Sequence, residues 1–212
     1  MKKIASPLFQ DLSEAELDTL AAAGHLRTRQ FAKHEVIFRA GSCVREIGIV
    51  LRGSVHIENL DLWGTKSILS SVGAGQAFAE TYAFCGEALM VDAVAAEHCE
   101  ILFLHTAAFT DARIEPALQD KLLRRLLAVS MRKNLSLSQR IFCTTPKTVR
   151  GRLLTYFSAQ AARCGRMEFE VPFNRQQMAD YLNLDRSALS KELCKMRDEG
   201  LLEFDKNRFV LK

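Results

Sequence analysis

The chain has 212 residues, 48% hydrophobic and 25% charged, with a net charge of +4. That length fits one large domain or two small ones with a real core, and the composition excludes a disordered chain. No apolar run reaches the ~18 residues of a membrane span, and Lys2 and Lys3 precede only a short apolar stretch ended by Gln10 and Asp11, so neither a membrane helix nor a signal peptide is expected.

A cytoplasmic protein without a membrane partner follows as the expectation. The charge is unevenly spread: residues 1–112 carry 9 basic and 14 acidic side chains, residues 113–143 carry 7 and 2, and residues 144–212 carry 13 and 9. An acidic front and a basic back point to an anionic partner for the back half, with a solvated basic helix face as the bland alternative. The six cysteines, Cys43, Cys85, Cys99, Cys143, Cys164 and Cys194, have no CxxC pair and no close cluster with histidine. No metal site and no iron–sulfur cluster are therefore expected, and buried free thiols are the default.

In chain order, the first element is a helix. Ser13 and Glu16 have capping-box spacing, and Leu17, Leu20 and Ala21 follow as its apolar face. From about Leu26 to Phe109 short β-rich runs recur at Val36–Phe38, Ile47–Leu51, Val55–Ile57, Ser67–Leu69 and Glu100–Leu104. Gly41, Gly53, Gly64 and Gly75 punctuate them, and Asp61-Leu62-Trp63-Gly64 reads as a hairpin tip. Short strands at this spacing predict an all-β barrel or sandwich.

From Pro116 to Phe142 the pattern is one long helix, about 40 Å at 1.5 Å per residue. Leu122, Leu126 and Val129 form one apolar line, and Leu123, Leu127, Leu137 and Ile141 lie near another. A helix this long has its outlet in pairing with a second copy, as in a coiled coil. Thr144-Thr145-Pro146 interrupts the pattern; Thr145 suits an N-cap and Pro146 the first helical position. The hinge is expected here, which gives segments 1–112, 113–143 and 144–212. A second helix to Cys164 presents Val149, Leu153, Leu154 and Phe157, Gly165 ends it, and Met167–Val171 alternates as a strand.

Residues 174–197 carry the sharpest signal. Asn174 and Gln177 have capping-box spacing, Met178, Ala179 and Leu182 form an apolar face, and Asn183 suits a tight left-handed turn. Asp185 caps a second helix that buries Leu189, Leu193 and Met196. This is a helix-turn-helix, with small Ala179 at the crossing. Arg186, Ser187, Ser190, Lys191 and Lys195 remain outward, a basic face suited to the major groove of double-stranded DNA. Arg175 and Gln176 open the first helix as further candidate contacts. Leu201–Leu211 reads as a closing hairpin, a wing whose Lys206 and Arg208 can touch phosphates.

Arg175-Gln176-Gln177-Met178-Ala179, Leu184-Asp185-Arg186-Ser187 and Glu199-Gly200-Leu201-Leu202 together resemble the C-terminal domain of the Crp/Fnr family of bacterial transcription regulators. Phe38-Arg39-Ala40-Gly41 and Leu51-Arg52-Gly53-Ser54-Val55 are similar to its N-terminal β-roll, and Gly75–Glu80 to the start of its effector cassette. The resemblance covers nearly the whole chain. It implies an α+β fold: an N-terminal double-stranded β-helix (β-roll), a long dimerisation helix and a C-terminal winged helix-turn-helix. It also implies a homodimer on a palindromic operator, RNA polymerase as a partner if the protein activates, and a small-molecule effector in the roll. The pocket would take in His56, Phe78, Glu80, Thr81, Cys85, Leu89 and Met90.

The departures bear on that effector. Members that bind cyclic nucleotides carry an Arg followed by Ser or Thr late in the cassette, and this Arg pairs with the cyclic phosphate. Here the stretch is Ala88-Leu89-Met90-Val91-Asp92-Ala93, which holds no cation, so cyclic AMP and cyclic GMP are not expected. Iron–sulfur members carry clustered N-terminal cysteines, and this chain has none before Cys43. Haem-binding relatives bring His25, His34, His56, His98 and His105 into view, of which His56 on a strand reads as structural sooner than as a ligand. Many relatives have Glu where this chain has Ser187, so the family's operator sequence does not carry over. Two alternatives stay open. One is a metal-dependent oxygenase on a jelly roll, which His98 and His105, seven apart, serve poorly. The other is a ligand-binding roll, haem- or thiol-based and sensing redox state or NO, whose helix-turn-helix is not the main activity.

Overall fold

The computed structural model describes residues 4–60 and 66–212, and two compact units divide the chain at 132/133. The expected hairpin tip at Asp61–Gly64 lies outside the described residues. Among them, no helix is long and apolar enough to cross a membrane.

The first unit opens with helix α1 (Glu14–Ala22), whose Ser13–Glu16 capping box is formed on both sides. Two four-stranded antiparallel sheets follow. One has the order β1 (Leu26–Phe31), β8 (Cys99–His105), β3 (Glu46–Arg52), β6 (Ala77–Phe78); the other β2 (Val36–Phe38), β7 (Asp92–Ala95), β4 (Val55–Leu60), β5 (Lys66–Val72). A short helix α2 (Glu80–Cys85) leaves β6, and α3 (Pro116–Thr144) follows β8 and runs on into the second unit.

The near-continuous apolar run of β8 has a structural reason. Side chains alternate across a strand, so Ile101 and Phe103 enter the space between the sheets while Leu102 and Leu104 pack outward against α1 and α3. A sheet buried on both faces has no polar side to alternate with. The interior between the sheets is aromatic: the Phe38 ring centroid lies 5.8 Å from that of Phe78 and 5.6 Å from that of Phe103. Gly48 is what lets Phe78 in, since a Cβ there would stand 2.3 Å from the ring.

Helix α3 corrects part of the expected dimer face. Leu122 and Leu126 are buried in the first unit's own core, packed with Leu17, Leu20 and Ile47, and Val129 is half-buried. Leu123, Leu127, Met131, Leu135, Leu137 and Ile141 stay 47–66% exposed. A single helix offers one stripe to its own roll and another to something else.

The second unit holds the end of α3, α4 (Val149–Cys164), β9 (Glu168–Glu170), α5 (Arg175–Leu182), α6 (Arg186–Asp198) and the hairpin β10 (Leu202–Asp205) and β11 (Arg208–Leu211), in sheet order β10-β11-β9. The cap assigned to Thr145 belongs to Thr148, whose Oγ1 accepts from the Gly151 N–H at 3.0 Å. Thr144 and Thr145 instead donate back to the carbonyls of Arg140 and Ile141, and so finish α3. Leu154 is exposed, not part of the buried face. Gly165 ends α4 at φ 66° as expected.

Candidate nucleic-acid interface

The helix-turn-helix is assembled by its own short-range chemistry. The Asn174 Oδ1 accepts the Gln177 N–H and the Gln177 Oε1 accepts the Asn174 N–H, both at 2.9 Å. Asn183 takes the left-handed conformation, φ 53° and ψ 53°, that the turn requires. Asp185 accepts from the N–H groups of Ser187 and Ala188 at 2.8 and 2.9 Å, and the Ser187 hydroxyl donates to it at 2.5 Å. Those bonds, the hydroxyl's first, hold the Asp185 carboxyl below the usual carboxylate range. Ala179, Leu189, Leu193 and Met196 are fully buried.

Three arginines absent from the predicted site hold this motif in place. Arg152 donates to the carbonyls of Leu182 and Asn183 at 3.1 and 2.7 Å, inside the turn, and to Pro146 at 2.8 Å. Arg140 donates to the carbonyls of Asp180 and Tyr181 at 3.0 and 3.1 Å, which finishes α5. Arg150 reaches Glu192 at 2.5 Å and Glu199 at 2.9 Å. Its guanidinium is held charged by Glu199 and then Glu192, and in return it holds the Glu199 carboxyl low. One signal was available: Arg150 and Arg152 stand in the first turn of α4, where the helix dipole disfavours a cation and another partner is needed.

The predicted contacts divide accordingly. Arg186, Lys191 and Lys195 are exposed on α6 and Lys206 is exposed at the wing tip, with no ion pair among the described residues. Ser190 is half-buried beside them, and the Ser187 hydroxyl is taken by the cap. Gln176 is exposed, its amide on Asp180 at 2.8 Å. Two positions have partners within the unit. Arg175 lies over the wing aromatics, its guanidinium carbon 4.9 Å from the Phe204 ring and 5.1 Å from Phe209, and burial lowers its pKa. It fastens α5 to the wing instead of facing outward. Arg208 pairs with Glu168 on β9.

In the roll, Glu80, Thr81 and Cys85 come together, along a groove of about 260 Å³ between α2 and α3 that Phe84, Leu123 and Leu127 complete. The other four expected pocket residues are elsewhere. Phe78 and Leu89 are buried core, Met90 is 77% exposed, and His56 stands on β4 with its Nδ1 3.6 Å from Glu58. Two further histidines are structural: His25 bonds Asp111 at 2.7 Å, and the His105 Nδ1 accepts the Ala107 N–H. Asp92 accepts the Ala40 N–H at 2.6 Å, closing the loop after β2. Among the described residues no three His, Cys, Asp or Glu side chains converge as a metal site.

A β-roll followed by a winged helix-turn-helix is the architecture of a DNA-binding transcription regulator. The sequence matches the cyclic nucleotide-binding domain over residues 28–113 and the Crp-like helix-turn-helix domain over residues 151–212. The chain belongs to the Crp/Fnr family of transcription regulators. Similar solved structures include FixK2 from Bradyrhizobium japonicum (19% identity, 88% of this chain and 92% of that one, TM-score 0.52). Another is the c-di-GMP responsive global regulator CLP of Xanthomonas campestris (18% identity, 94% and 99%, TM-score 0.55). A cyclic nucleotide-binding domain from Methylobacillus flagellatus matches at 21% identity over 66% of this chain and 76% of that one, TM-score 0.55. At these identities the likeness is one of fold. No curated protein matches the chain by sequence.

Proposed function

We propose that this DNA-binding transcription regulator acts as a homodimer on a twofold-symmetric operator, with α6 of each protomer in the major groove. The supporting observation is the sorting of charge on α6. Arg150 draws Glu192 and Glu199 to the α4 side, which leaves Arg186 and Lys191 unopposed on the exposed face and Lys195 exposed with only Glu199 near it. Arg186 suits a guanine edge, and Lys191, Lys195 and Lys206 suit phosphates. The exposed stripe of α3 from Leu123 to Ile141 supports pairing with a second copy. Half-sites then lie about one helical turn apart.

The effector in this reading is not a cyclic nucleotide. A cyclic phosphate needs a cation, whereas the 88–93 stretch offers only Asp92, already committed to a backbone N–H. The α2–α3 groove that holds Thr81 and Cys85 is the stronger location, and segments 1–112, 113–143 and 144–212 are its sensing, dimerising and DNA-binding parts. Fluorescence anisotropy on DNA from upstream of the protein's own gene tests the assignment. Arg186→Ala and Lys191→Ala should weaken binding at least tenfold, and loss of a phosphate contact should flatten the salt dependence by about one unit. Binding unchanged in both variants would sink it.

A further inference from the structure

Helix α3 carries a spacing that its apolar residues alone do not explain. Leu123, Leu127, Ser130, Asn134, Leu137 and Ile141 follow one another at intervals of 4, 3, 4, 3 and 4 residues. That is the rhythm of a heptad, with Leu127, Asn134 and Ile141 at a and Leu123, Ser130 and Leu137 at d. The four apolar members are 47–66% exposed, and Asn134 is exposed with them. The line one residue further on opens with Arg124, which is exposed and paired with Asp120 of its own helix and suits no apolar seam.

Asn134 decides what can cover this line. A partner helix that is apolar throughout would bury the amide without a hydrogen bond, which is costly. A second copy, parallel and in register, brings an identical amide to the same height. Each amide holds both donors and an acceptor, so the two can bond one another. Charge favours the same orientation. In an antiparallel pair the g positions face each other, which sets Lys133 against the partner's Lys133, whereas a parallel pair sets it opposite the partner's Ser138 at e.

We propose that Asn134 is the register residue of the α3 pair: its amide bonds the partner's Asn134 at the twofold axis and fixes two parallel chains without offset. A polar residue at a single a position is suited to this, because any slip leaves both amides facing apolar side chains. A twofold-symmetric operator needs such an alignment. Asn134 takes this role only if the chain is the homodimer proposed above.

Sedimentation equilibrium of the full chain, without DNA, reads the dimer Kd. Asn134→Asp and Asn134→Lys each set like charges face to face, so each variant alone should dimerise about tenfold more weakly than the wild type at neutral pH. Mixed in equal amounts, they should recover to within about threefold of the wild type, because a carboxylate then meets an ammonium. Asp and Lys variants that each dimerise like the wild type would overturn the assignment and leave the homodimer standing. So would a mixture that associates no better than its components, since residue 134 would then not face its own copy. A wild type that stays a single chain at every concentration would overturn the homodimer, and the register residue with it.

Discussion

Arg152→Met removes the guanidinium that ties the end of α3, the helix-turn-helix turn and α4 into one piece. Three carbonyls lose a donor. A hydrogen bond to a charged group contributes about 1.5–3 kcal/mol when its loss leaves a buried partner unpaired. Leu182 is fully buried and meets that condition, whereas Asn183 is exposed and Pro146 half-exposed, so water replaces the guanidinium at both. The expected loss is therefore about 2 kcal/mol, near a single buried charged bond and well short of three. In a unit the size of residues 133–212 this lowers the midpoint of unfolding by roughly 8–16 °C. Scanning calorimetry of the full chain reads it, and operator anisotropy below the transition reads the functional part. Arg152→Lys keeps a point charge without the fork and should fall between the two. A Met variant that melts and binds DNA like the wild type would refute the assignment of Arg152 as the fastening of the motif.

Gly48→Ala pushes a methyl to 2.3 Å from the Phe78 ring in a packed aromatic interior, and about 1–3 kcal/mol of destabilisation is expected by thermal unfolding. A second change, Phe78→Leu, should restore part of it, so strict additivity of the two would count against the contact. Leu127→Glu, on the exposed stripe of α3, tests the proposed pairing: it should lower the molar mass read by light scattering to that of one chain, with a folded roll. On pH, Asp185 and Glu199 have folded values below the ordinary carboxylate range. Their stabilisation is complete above about pH 5 and fades as the pH falls through the lower folded values. Asp185→Asn keeps the cap without titrating and should flatten the acid limb of the stability curve. With Lys191, Lys195 and Lys206 as the phosphate-facing cations, a dimer releases up to about six counterions and the log–log salt slope should be roughly −5.

The motif was legible because its determinants are local. Asn174–Gln177, Asn183 and Asp185 each act within four residues, and the structure places all three in the conformations that their residue types require. The five strand runs were legible for a similar reason, apolar texture between glycines. Strand β1, Leu-Arg-Thr-Arg-Gln-Phe, was not singled out, because only Phe31 of its six residues is buried. Helix α2 was missed because six residues carry no period. Its start is fixed by Ala79 at φ 61°, a left-handed alanine that no propensity favours. The α3 stripes were legible only as a pair for a physical reason: both apolar lines are real, and only packing decides which one the roll takes.

Charge is where the two levels of description diverge most. Residues 113–212 carry 20 basic and 11 acidic side chains, an excess that counting alone assigns to a polyanion. In the second unit much of it is spent on the protein itself. Arg140 and Arg152 hold backbone carbonyls, Arg150 neutralises Glu192 and Glu199, Arg208 meets Glu168, and Arg175 lies on the wing aromatics. Arginine is the residue suited to such work, since its planar fork satisfies two or three acceptors at once. On α6 and the wing, what remains exposed and unpaired is Arg186 and three lysines, compact charges on flexible stems that can follow a phosphate backbone. The arginines thus build the DNA-facing surface more than they populate it. Net charge overstates the cations left free on the exposed face, yet the motif would lose its shape without those turned onto the protein itself.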